Sequence, residues 1–355
     1  MDTCTNENES VSIQIKSISQ SEKSVFLFNH SDSDIYIPEK EICSLKISDL
    51  GFSTNVNVYA EGYQMLQQIY TKLCDLSETS KSMDKDHYKF SQTPGYYTAY
   101  NFIYLEENNR CVLIGASSCE RFSTKILINQ SEIKLVQTLE NIRIPKNSTI
   151  RLESYSVIEC KNRNDCLLQF SEQLNHHHPR LPFHEIPDGW CSWYCYGALV
   201  TEGAIRKNLK VAKRELPKLK YIQIDDGYQP HMGDWLLQTK KFRSRMKDIC
   251  LNIRAQGFEP AMWVAPFIAG KKSQLFHDHP DWFIKDKNGA PLCAADCTFG
   301  GWRDKPWYFL DPTHPEAISY IKEVFRIMKY EWKVNYFKLD ANVWGAMPFG
   351  VRYDN

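Results

Sequence analysis

The sequence has no long apolar run and no excess of charge of either sign. No stretch approaches the roughly 20 apolar residues of a membrane span, and residues 1–10 lack the basic and apolar regions of a signal peptide. The 43 basic and 43 acidic residues balance, and no basic block suggests a nucleic-acid partner. We therefore expect a cytoplasmic protein that binds neither membranes nor nucleic acid.

Patterns typical of metal and cofactor sites are also missing. The twelve cysteines include no Cys-x-x-Cys pair, which argues against a zinc site and a disulfide framework. His176, His177 and His178 are adjacent, but consecutive residues cannot all face one ion, and no acidic or cysteine partner lies at ligand spacing. We predict neither a metal nor an organic cofactor.

Residues 1–180 are predicted to form an antiparallel β-sandwich domain. Short β-prone runs alternate with polar turns, and Ile13/Ile15 and Val25/Leu27 show the period-two pattern of strands with one covered face. Composition favours a helix at Glu61–Leu76 and a short connecting helix at Asp165–Leu174, before a linker rich in His and Pro. The predicted strands are Val11–Ile18, Ser24–Asn29, Ile42–Ile47, Asn55–Tyr59, Thr98–Leu105, Cys111–Ala116, Thr124–Ile128 and Ser148–Val157.

Residues 181–355 alternate strand and helix, which indicates a parallel sheet with right-handed crossovers. A doubly wound sheet would also bind ligands at its strand ends, but the phosphate-binding glycine fingerprint is missing, so a (β/α)8 barrel is favoured. Four units cannot close such a barrel. We therefore expect the first half of a TIM-type barrel, and a chain that is the front part of a longer or split enzyme. The predicted strands are Gly189–Tyr196, Tyr221–Asp225, Phe258–Phe267 and a strand that contains Asp340.

The segment 336–342 carries an unusual row of polar residues. Strand alternation would place Lys338, Asp340 and Asn342 on one face, opposite three apolar side chains. Burying this row in a dry core would cost several kcal/mol per charge, in order-of-magnitude terms, whereas a strand end that opens into a cleft avoids the cost. A Lys–Asp pair on a solvated edge strand is the commoner explanation of an arbitrary Lys-x-Asp.

Four further residues fall at the ends of the other predicted strands, where barrel active sites are built. They are Trp193, Asp225, Asp226 and Trp263. Each also has an ordinary structural explanation, because Asp-Gly pairs are common in turns and isolated tryptophans are mostly core residues.

Six short motifs follow one another in this half of the chain. They are Gly189-Trp190-Cys191-Ser192-Trp193, Ile224-Asp225-Asp226-Gly227-Tyr228, Trp263-Val264-Ala265-Pro266, His279-Pro280-Asp281-Trp282, Leu310-Asp311-Pro312 and Lys338-Leu339-Asp340-Ala341-Asn342. In this order they resemble glycoside hydrolase family 36, which holds microbial α-galactosidases and is similar to raffinose-synthase-type enzymes. The resemblance covers about 170 residues, from 186 to 355.

The resemblance implies a retaining α-galactosidase that acts on α-galactoside oligosaccharides without a cofactor. Asp340 matches the nucleophile that would form a covalent glycosyl-enzyme. The positions that match sugar-binding residues are Asp225, Asp226, Trp193, Trp263, Lys338 and Asn342.

The second carboxylate of a retaining mechanism is the main gap. In the family it comes from a later strand, whereas only fifteen residues follow Asp340, so we expect the acid/base to be absent from the chain. Asp311 matches a structural position, and neither Arg303 nor Lys305 is assigned to the arginine that family members carry before the Leu-Asp motif. A second copy of the chain or a complementing C-terminal half are the protein partners considered.

Three alternative functions stay open at this point. A galactosyltransferase acting on raffinose-type sugars and an α-N-acetylgalactosaminidase would use the same site. A non-catalytic sugar-binding protein would keep the sugar-binding residues without the acid/base.

Overall fold

The computed structural model describes residues 3–4, 10–63, 68–76, 88–90, 93–180, 186–298 and 302–354. The chain divides into two compact units, Met1–Pro182 and Phe183–Asp354. No helix within the described ranges has the length and apolar character needed to cross a membrane.

The first unit contains one hydrogen-bonded sheet in which all strand pairs are antiparallel. The main path of the sheet runs β1-β2-β3-β12-β8-β7-β9-β10-β4, while β11 pairs with β3, and β5 pairs with β6 and β7. An antiparallel β-rich N-terminal domain is thus confirmed. The strands are β1 (Thr3–Cys4), β2 (Val11–Ser17), β3 (Glu22–Asn29), β4 (Ile35–Lys46), β5 (Asn57–Glu61), β6 (Gln68–Lys72), β7 (Tyr97–Glu107), β8 (Arg110–Ala116), β9 (Ser123–Ile128), β10 (Glu132–Ile144), β11 (Thr149–Arg151) and β12 (Tyr155–Cys160).

The sheet is covered on both faces of its central strands. The alternating residues Val25 and Leu27 belong to the main core, as the period-two pattern predicts. Helix α1 (Arg163–His177) begins after Asn162, whose side chain accepts a hydrogen bond from the Asp165 amide. Its Phe170 packs in a second cluster with side chains of β7, β8 and β12. The predicted connecting helix therefore exists and is longer than expected.

The predicted helix at Glu61–Leu76 is wrong. Strand β6 pairs with β5, with Tyr70 opposite Tyr59, and a 3-10 turn follows at Leu73–Asp75. Pairing with an existing strand and packing of Ile69 against the core outweigh the helix-forming composition. Residues 64–67, inside the predicted helix, lie outside the described residues.

The second unit contains a four-stranded parallel sheet in the order β13-β14-β15-β18 and an antiparallel pair, β16 with β17. A parallel sheet with helical crossovers is confirmed for this half. The strands are β13 (Gly189–Cys191), β14 (Tyr221–Ile224), β15 (Glu259–Val264), β16 (Ile268–Gly270), β17 (Trp307–Phe309) and β18 (Tyr336–Leu339). The helices are α2 (Trp193–Tyr196), α3 (Glu202–Glu215), α4 (Met246–Ala255), α5 (Gln274–Asp278), α6 (Ala294–Cys297) and α7 (Pro315–Arg326), and α7 continues as a π-helical turn over Ile327–Glu331. Short 3-10 segments lie at Gly197–Leu199, Pro280–Trp282 and Asn342–Gly345.

Apolar stripes on the crossover helices explain how this sheet is covered. Ile205 and Leu209 on α3, and Ile249 and Ile253 on α4, are buried in one core with the strand residues. Their spacing of four residues places each pair on one side of its helix. Helix α3 stops at Glu215, and the next apolar residue, Leu216, is exposed.

Two predicted strand assignments need correction. The segment 189–196 is a strand only to Cys191, and Trp193 begins helix α2. Strand β18 ends at Leu339, and Ala341 adopts the left-handed conformation with φ of 49°. This turn removes Asn342 from the strand, so it does not share a strand face with Lys338.

Candidate active site at the strand ends

Asp225 follows β14 directly and is almost completely buried. Its amide donates to Ser192 Oγ at 2.9 Å, which ties the end of β14 to the residue that follows β13. Its Oδ2 accepts from Gln223 Nε2 at 2.6 Å and from Lys338 Nζ at 2.9 Å. A buried carboxylate needs such partners, because desolvation of an unpaired charge is costly. Asp225 is therefore held in one orientation as an acceptor.

Lys338 reaches this carboxylate from β18. Burial acts to lower the pKa of Lys338, but the hydrogen bond and the charge of Asp225, helped by the charge of Asp340, raise that pKa overall. One third of the Lys338 side chain is exposed. The ammonium group is therefore cationic and accessible to a ligand.

Asp226, the next residue, has a different set of donors. Arg303 approaches it with Nε at 3.2 Å from Oδ2 and Nη2 at 3.1 Å from Oδ1, a two-nitrogen contact typical of arginine and carboxylate. Gln229 Nε2 donates to Oδ1 at 2.7 Å. Neither Arg303 nor Gln229 was assigned from the sequence. The arginine that family members carry before the Leu-Asp motif was the available signal, but the sequence did not decide between Arg303 and Lys305 for that position.

The turn after Asp226 requires glycine. Gly227 has φ of 111°, and a Cβ atom there would lie 2.5 Å from the carbonyl oxygen of Ala198. L-residues rarely adopt this conformation, and the close backbone approach leaves no room for a side chain. The segment Asp225-Asp226-Gly227 is therefore a strand-end turn, as one sequence interpretation held, and it also brings two carboxylates to the sheet edge.

Trp263 and Asp340 are hydrogen-bonded at the ends of the adjacent strands β15 and β18. Trp263 Nε1 donates to Asp340 Oδ2 at 2.9 Å, and the Asp340 amide donates to Val264 O at 2.9 Å. Trp263 is only 1% exposed and lies in the core, edge-on to Trp235 and Trp302. It is thus a core residue whose indole N–H fixes the carboxylate of the predicted nucleophile.

The left-handed conformation of Ala341 lies directly after that carboxylate. For a residue with a Cβ atom this conformation costs of the order of 1–3 kcal/mol and persists where the surroundings impose it. Such strain is common at functional sites. Here it ends the strand immediately after Asp340, whose side chain is only partly buried.

The structure brings Asp225 and Lys338 into contact, and likewise Trp263 and Asp340. Asp226 follows Asp225 in the same turn. Trp193 and Asn342 are different. Both are exposed, Trp193 by 41%, and within the described ranges neither forms a hydrogen bond with the other predicted site residues.

Asp311 is part of the local structure. Its Oδ1 accepts from the Thr313 amide at 2.8 Å and hydroxyl at 2.7 Å, and its Oδ2 accepts from the Tyr353 amide at 2.7 Å. The carboxylate is 2% exposed. The Asp311 carboxylate therefore holds two chain segments together by hydrogen bonds, in agreement with its match to a structural position of the family motif.

The three adjacent histidines do not converge. His177 Nε2 lies 2.7 Å from Glu22 Oε1 in a buried pair, and His178 Nε2 accepts from the Cys119 amide at 3.0 Å. The predicted linker begins later than expected, because helix α1 extends through His177. The neighbouring rings contact partners on different parts of the first unit, as expected for consecutive residues.

Comparison with known proteins relates the second unit to glycosidases. Residues 221–345 match the melibiase family model. A curated A type blood α-D-galactosamine galactosaminidase from Flavonifractor plautii is 32% identical over 39% of this chain and 13% of its own length. An α-galactosidase of Escherichia coli is 28% identical over 34% of this chain and 16% of its own length.

A solved structure shares the fold over nearly the whole chain. The α-galactosidase TtGalA from Thermus thermophilus, in complex with p-nitrophenyl α-D-galactopyranoside, aligns with a TM-score of 0.68 and 20% identity. The alignment covers 95% of this chain and 63% of that protein. The matched region thus spans less than two thirds of the length of each of these three proteins. Together, these matches confirm the resemblance of the chain to glycoside hydrolase family 36, through a segment that carries the melibiase family pattern.

Proposed function

We propose that the second unit carries the nucleophile and the sugar-binding side of a retaining α-galactosidase site. The observation that carries the proposal is the hydrogen bond from Trp263 Nε1 to Asp340 Oδ2, 2.9 Å long, at the sheet edge that also presents Lys338 and Asp225. The names of the relatives, α-galactosidase and galactosaminidase, support the same substrate class.

Asp340 is proposed as the nucleophile. The indole N–H of Trp263 donates to the Asp340 carboxylate, and the positive charge of Lys338 interacts with the same carboxylate. Of the two Asp340 oxygens, only Oδ2 accepts a hydrogen bond from a side chain of the described residues. Oδ1 is therefore available for attack. In the proposed step Oδ1 forms a bond to the anomeric carbon while the bond from that carbon to the leaving oxygen breaks.

Asp225 and Asp226 are proposed to accept hydrogen bonds from galactose hydroxyls, because carboxylates are pure acceptors and sugar hydroxyls can donate. Lys338 and Arg303, each one third exposed, are proposed to donate to sugar oxygens from the same edge. The alternation of cations and carboxylates offers a hydroxyl both a donor and an acceptor. Trp193 and Asn342 are proposed, on the resemblance alone, to contact the sugar from more exposed positions.

The proton donor is not assigned among the described residues. Asp311 is occupied by Thr313 and Tyr353, which leaves no free oxygen aimed at a leaving group. A test of the nucleophile should therefore avoid the need for an acid. Fluoride leaves a sugar without protonation, so an α-galactosyl fluoride isolates the glycosylation step.

The test uses α-galactosyl fluoride with a second fluorine at C5, which slows hydrolysis of a covalent intermediate. We expect the protein to gain one fluorogalactosyl group, located by peptide mass spectrometry at Asp340. Asp340→Asn removes the nucleophile at constant shape and should abolish labelling. Asp248→Asn, an exposed aspartate paired with Arg245 in the same unit, is the matched control and should label like the parent protein.

Labelling at another carboxylate, or equal labelling of Asp340→Asn, would overturn the assignment of the nucleophile. Galactose binding in calorimetry without any labelling would favour a non-catalytic sugar-binding protein.

An α-galactosaminide is the second candidate substrate, because the Flavonifractor plautii relative bears that name and is 32% identical in the matched region. The same labelling reaction with the 2-amino and 2-acetamido fluorides distinguishes the two classes. A higher labelling rate with either one would reassign the substrate.

We also propose that the four parallel strands are adjacent strands of a (β/α)8 barrel. Their order in the sheet follows the chain, and each crossover contains a helix. These features support a barrel arrangement, in which the proposed site would lie at the carboxyl ends of the strands.

A further inference from the structure

A second cluster of metal-binding side chains lies outside the proposed sugar site. Asp281, His314 and Glu316 each offer one ligand atom, and these atoms lie within 4.8 Å of one another. Asp281 belongs to the 3-10 segment Pro280–Trp282, whereas His314 and Glu316 lie at the start of helix α7. The cluster therefore joins two segments that are more than thirty residues apart in sequence.

His314 is the independent sign of a ligand. The residue is only 8% exposed, and its Nδ1 is buried without a hydrogen-bond partner. It occupies the position before α7 but makes no side-chain cap bond to the helix. A buried polar nitrogen without a partner costs free energy. Coordination of a metal ion by the imidazole would provide a partner and so offset that cost.

The neighbouring contacts hold the donors in place. Trp282 Nε1 donates to Glu316 Oε2 at 3.1 Å, which orients that carboxylate. The Asp311 amide donates to Trp282 O at 2.9 Å, and the His314 amide donates to Asp311 O at 3.2 Å, so the two segments are tied together by their backbones. Outer contacts of this kind orient metal ligands in known sites.

The spacing suits a shared ion better than direct pairing. Within the described residues, none of the three side chains forms an ion pair or hydrogen bond with another of the three. An ion bound at about 2.0–2.2 Å needs its ligand atoms at most about 4 Å apart, so only small side-chain shifts are required.

The local charges also favour a cation. The negative charge of the two carboxylates at the site outweighs the roughly half positive charge at the N-terminus of α7. Lys285 is the neighbouring cation that acts on Asp281, but its Nζ donates to the Pro280 carbonyl at 2.6 Å. Among the described residues, the Lys285 ammonium group forms no hydrogen bond or ion pair with Asp281.

We propose that Asp281, His314 and Glu316 bind one divalent first-row transition ion, with Zn²⁺ as the best match to one imidazole nitrogen and two carboxylate oxygens. Mg²⁺ and Ca²⁺ prefer oxygen ligands throughout, so the histidine selects against them. The ion would link the Pro280–Trp282 segment to the start of α7 and stabilise the long connection between β15 and β18. This site is independent of the proposed glycosidase activity.

The experiment uses the full chain, treated with a chelator and dialysed, with Zn²⁺ as the probe in calorimetry and Co²⁺ as a spectroscopic substitute. We expect one equivalent of Zn²⁺ to bind, Mg²⁺ to bind far more weakly, and Co²⁺ to produce visible absorption bands. Asp281→Asn and Glu316→Gln change exposed side chains and should each lower Zn²⁺ affinity at least about tenfold. His314→Gln should lower it further and remove the Co²⁺ bands.

Asp278→Asn is the matched control, because this nearby exposed aspartate pairs with His277 and lies outside the cluster. Its Zn²⁺ affinity should equal that of the parent protein. Absence of stoichiometric Zn²⁺ binding would overturn the proposal. Unchanged Zn²⁺ affinity in both Asp281→Asn and Glu316→Gln would also overturn it, because the ion would then lie elsewhere. Circular dichroism of each variant checks that the fold is intact.

Discussion

Lys338 Nζ lies 2.9 Å from Asp225 Oδ2, although β15 separates their strands, β18 and β14, in the sheet. The long lysine side chain therefore crosses one strand to neutralise a carboxylate that is 2% exposed. The contact is one ion pair between two residues of the proposed sugar site, Asp225 after β14 and Lys338 in β18. Removing either charge alone would leave the other without its main partner.

Lys338→Met tests this link. It keeps an apolar stem but leaves the buried Asp225 charge unpaired, and we expect the free energy of unfolding to fall by about 1–3 kcal/mol. The range is below the 3–5 kcal/mol of fully buried pairs because the lysine is one third exposed. Urea denaturation at neutral pH measures the change.

The pair of substitutions Lys338→Met and Asp225→Asn is the control for that prediction. The double variant has no unpaired charge and should be more stable than Lys338→Met alone. Additive effects of the two single changes would contradict coupling between the residues. The pKa of Lys338 is raised in the folded protein. The ion pair should therefore contribute fully to the free energy of unfolding at neutral pH. That contribution should be lost only above the ordinary lysine pKa, as the pH rises through the raised pKa of Lys338.

Trp263→Phe should impair the proposed nucleophile. The substitution removes the indole N–H from Asp340 Oδ2, so the carboxylate loses the hydrogen bond that fixes its orientation. We expect labelling by the galactosyl fluoride to slow about tenfold or more.

Trp235→Phe is the matched control for this effect. Trp235 packs against Trp263 in the same core, but its buried Nε1 has no hydrogen-bond partner. Both variants lose similar core volume, so both should lose stability. Slowing of labelling in Trp235→Phe equal to that in Trp263→Phe would show that packing, rather than the N–H, controls the carboxylate.

Gly227→Ala should strongly destabilise the second unit. A Cβ atom at this position would lie 2.5 Å from Ala198 O, and the positive φ adds strain, so we expect a loss of at least about 2 kcal/mol. Thermal or urea unfolding measures it. Gly203→Ala in helix α3 is the contrast, because the Cβ atom would lie 3.8 Å from Thr201 Oγ1, an ordinary contact, and there we expect a neutral effect or a gain of up to about 1 kcal/mol.

Glu202 at the start of α3 should make stability depend on pH. Burial acts to raise its pKa, but hydrogen bonds from the Ser244 amide and hydroxyl, from Arg206 and from the Arg243 amide outweigh burial and lower the pKa to about 2. The stabilisation is therefore present above the ordinary glutamate pKa of about 4.3, and is lost as pH falls through that value toward 2.

Glu202→Gln should lower the free energy of unfolding at neutral pH by about 1–3 kcal/mol and flatten its decline between pH 5 and pH 2. Urea denaturation across this pH range measures both effects. Glu215→Gln, at the exposed end of the same helix, should change neither the neutral stability nor the slope appreciably. An unchanged slope in Glu202→Gln would rule out Glu202 as a source of the acid dependence.

Local patterns predicted most of the strands and the crossover helices, because side-chain alternation and helical stripes repeat over several residues. The helix predicted at Glu61–Leu76 was wrong because a distant contact decided the local structure. Strand β6 forms by pairing with β5, despite a composition that favours a helix. Asn342 leaves the strand because Ala341 adopts a left-handed conformation that no residue type in the segment announces.

The sequence by itself determined that carboxylates, a lysine and a tryptophan lie at the ends of strands, because each position follows from its own short motif. Only the tertiary structure decided the pairs: Lys338 with Asp225, Trp263 with Asp340 and Arg303 with Asp226. The physical reason is that a hydrogen bond depends on ångström-scale distances between segments far apart in the chain. Those distances are set by strand order, register and the path of the long connection, which together place the donors beside the carboxylates.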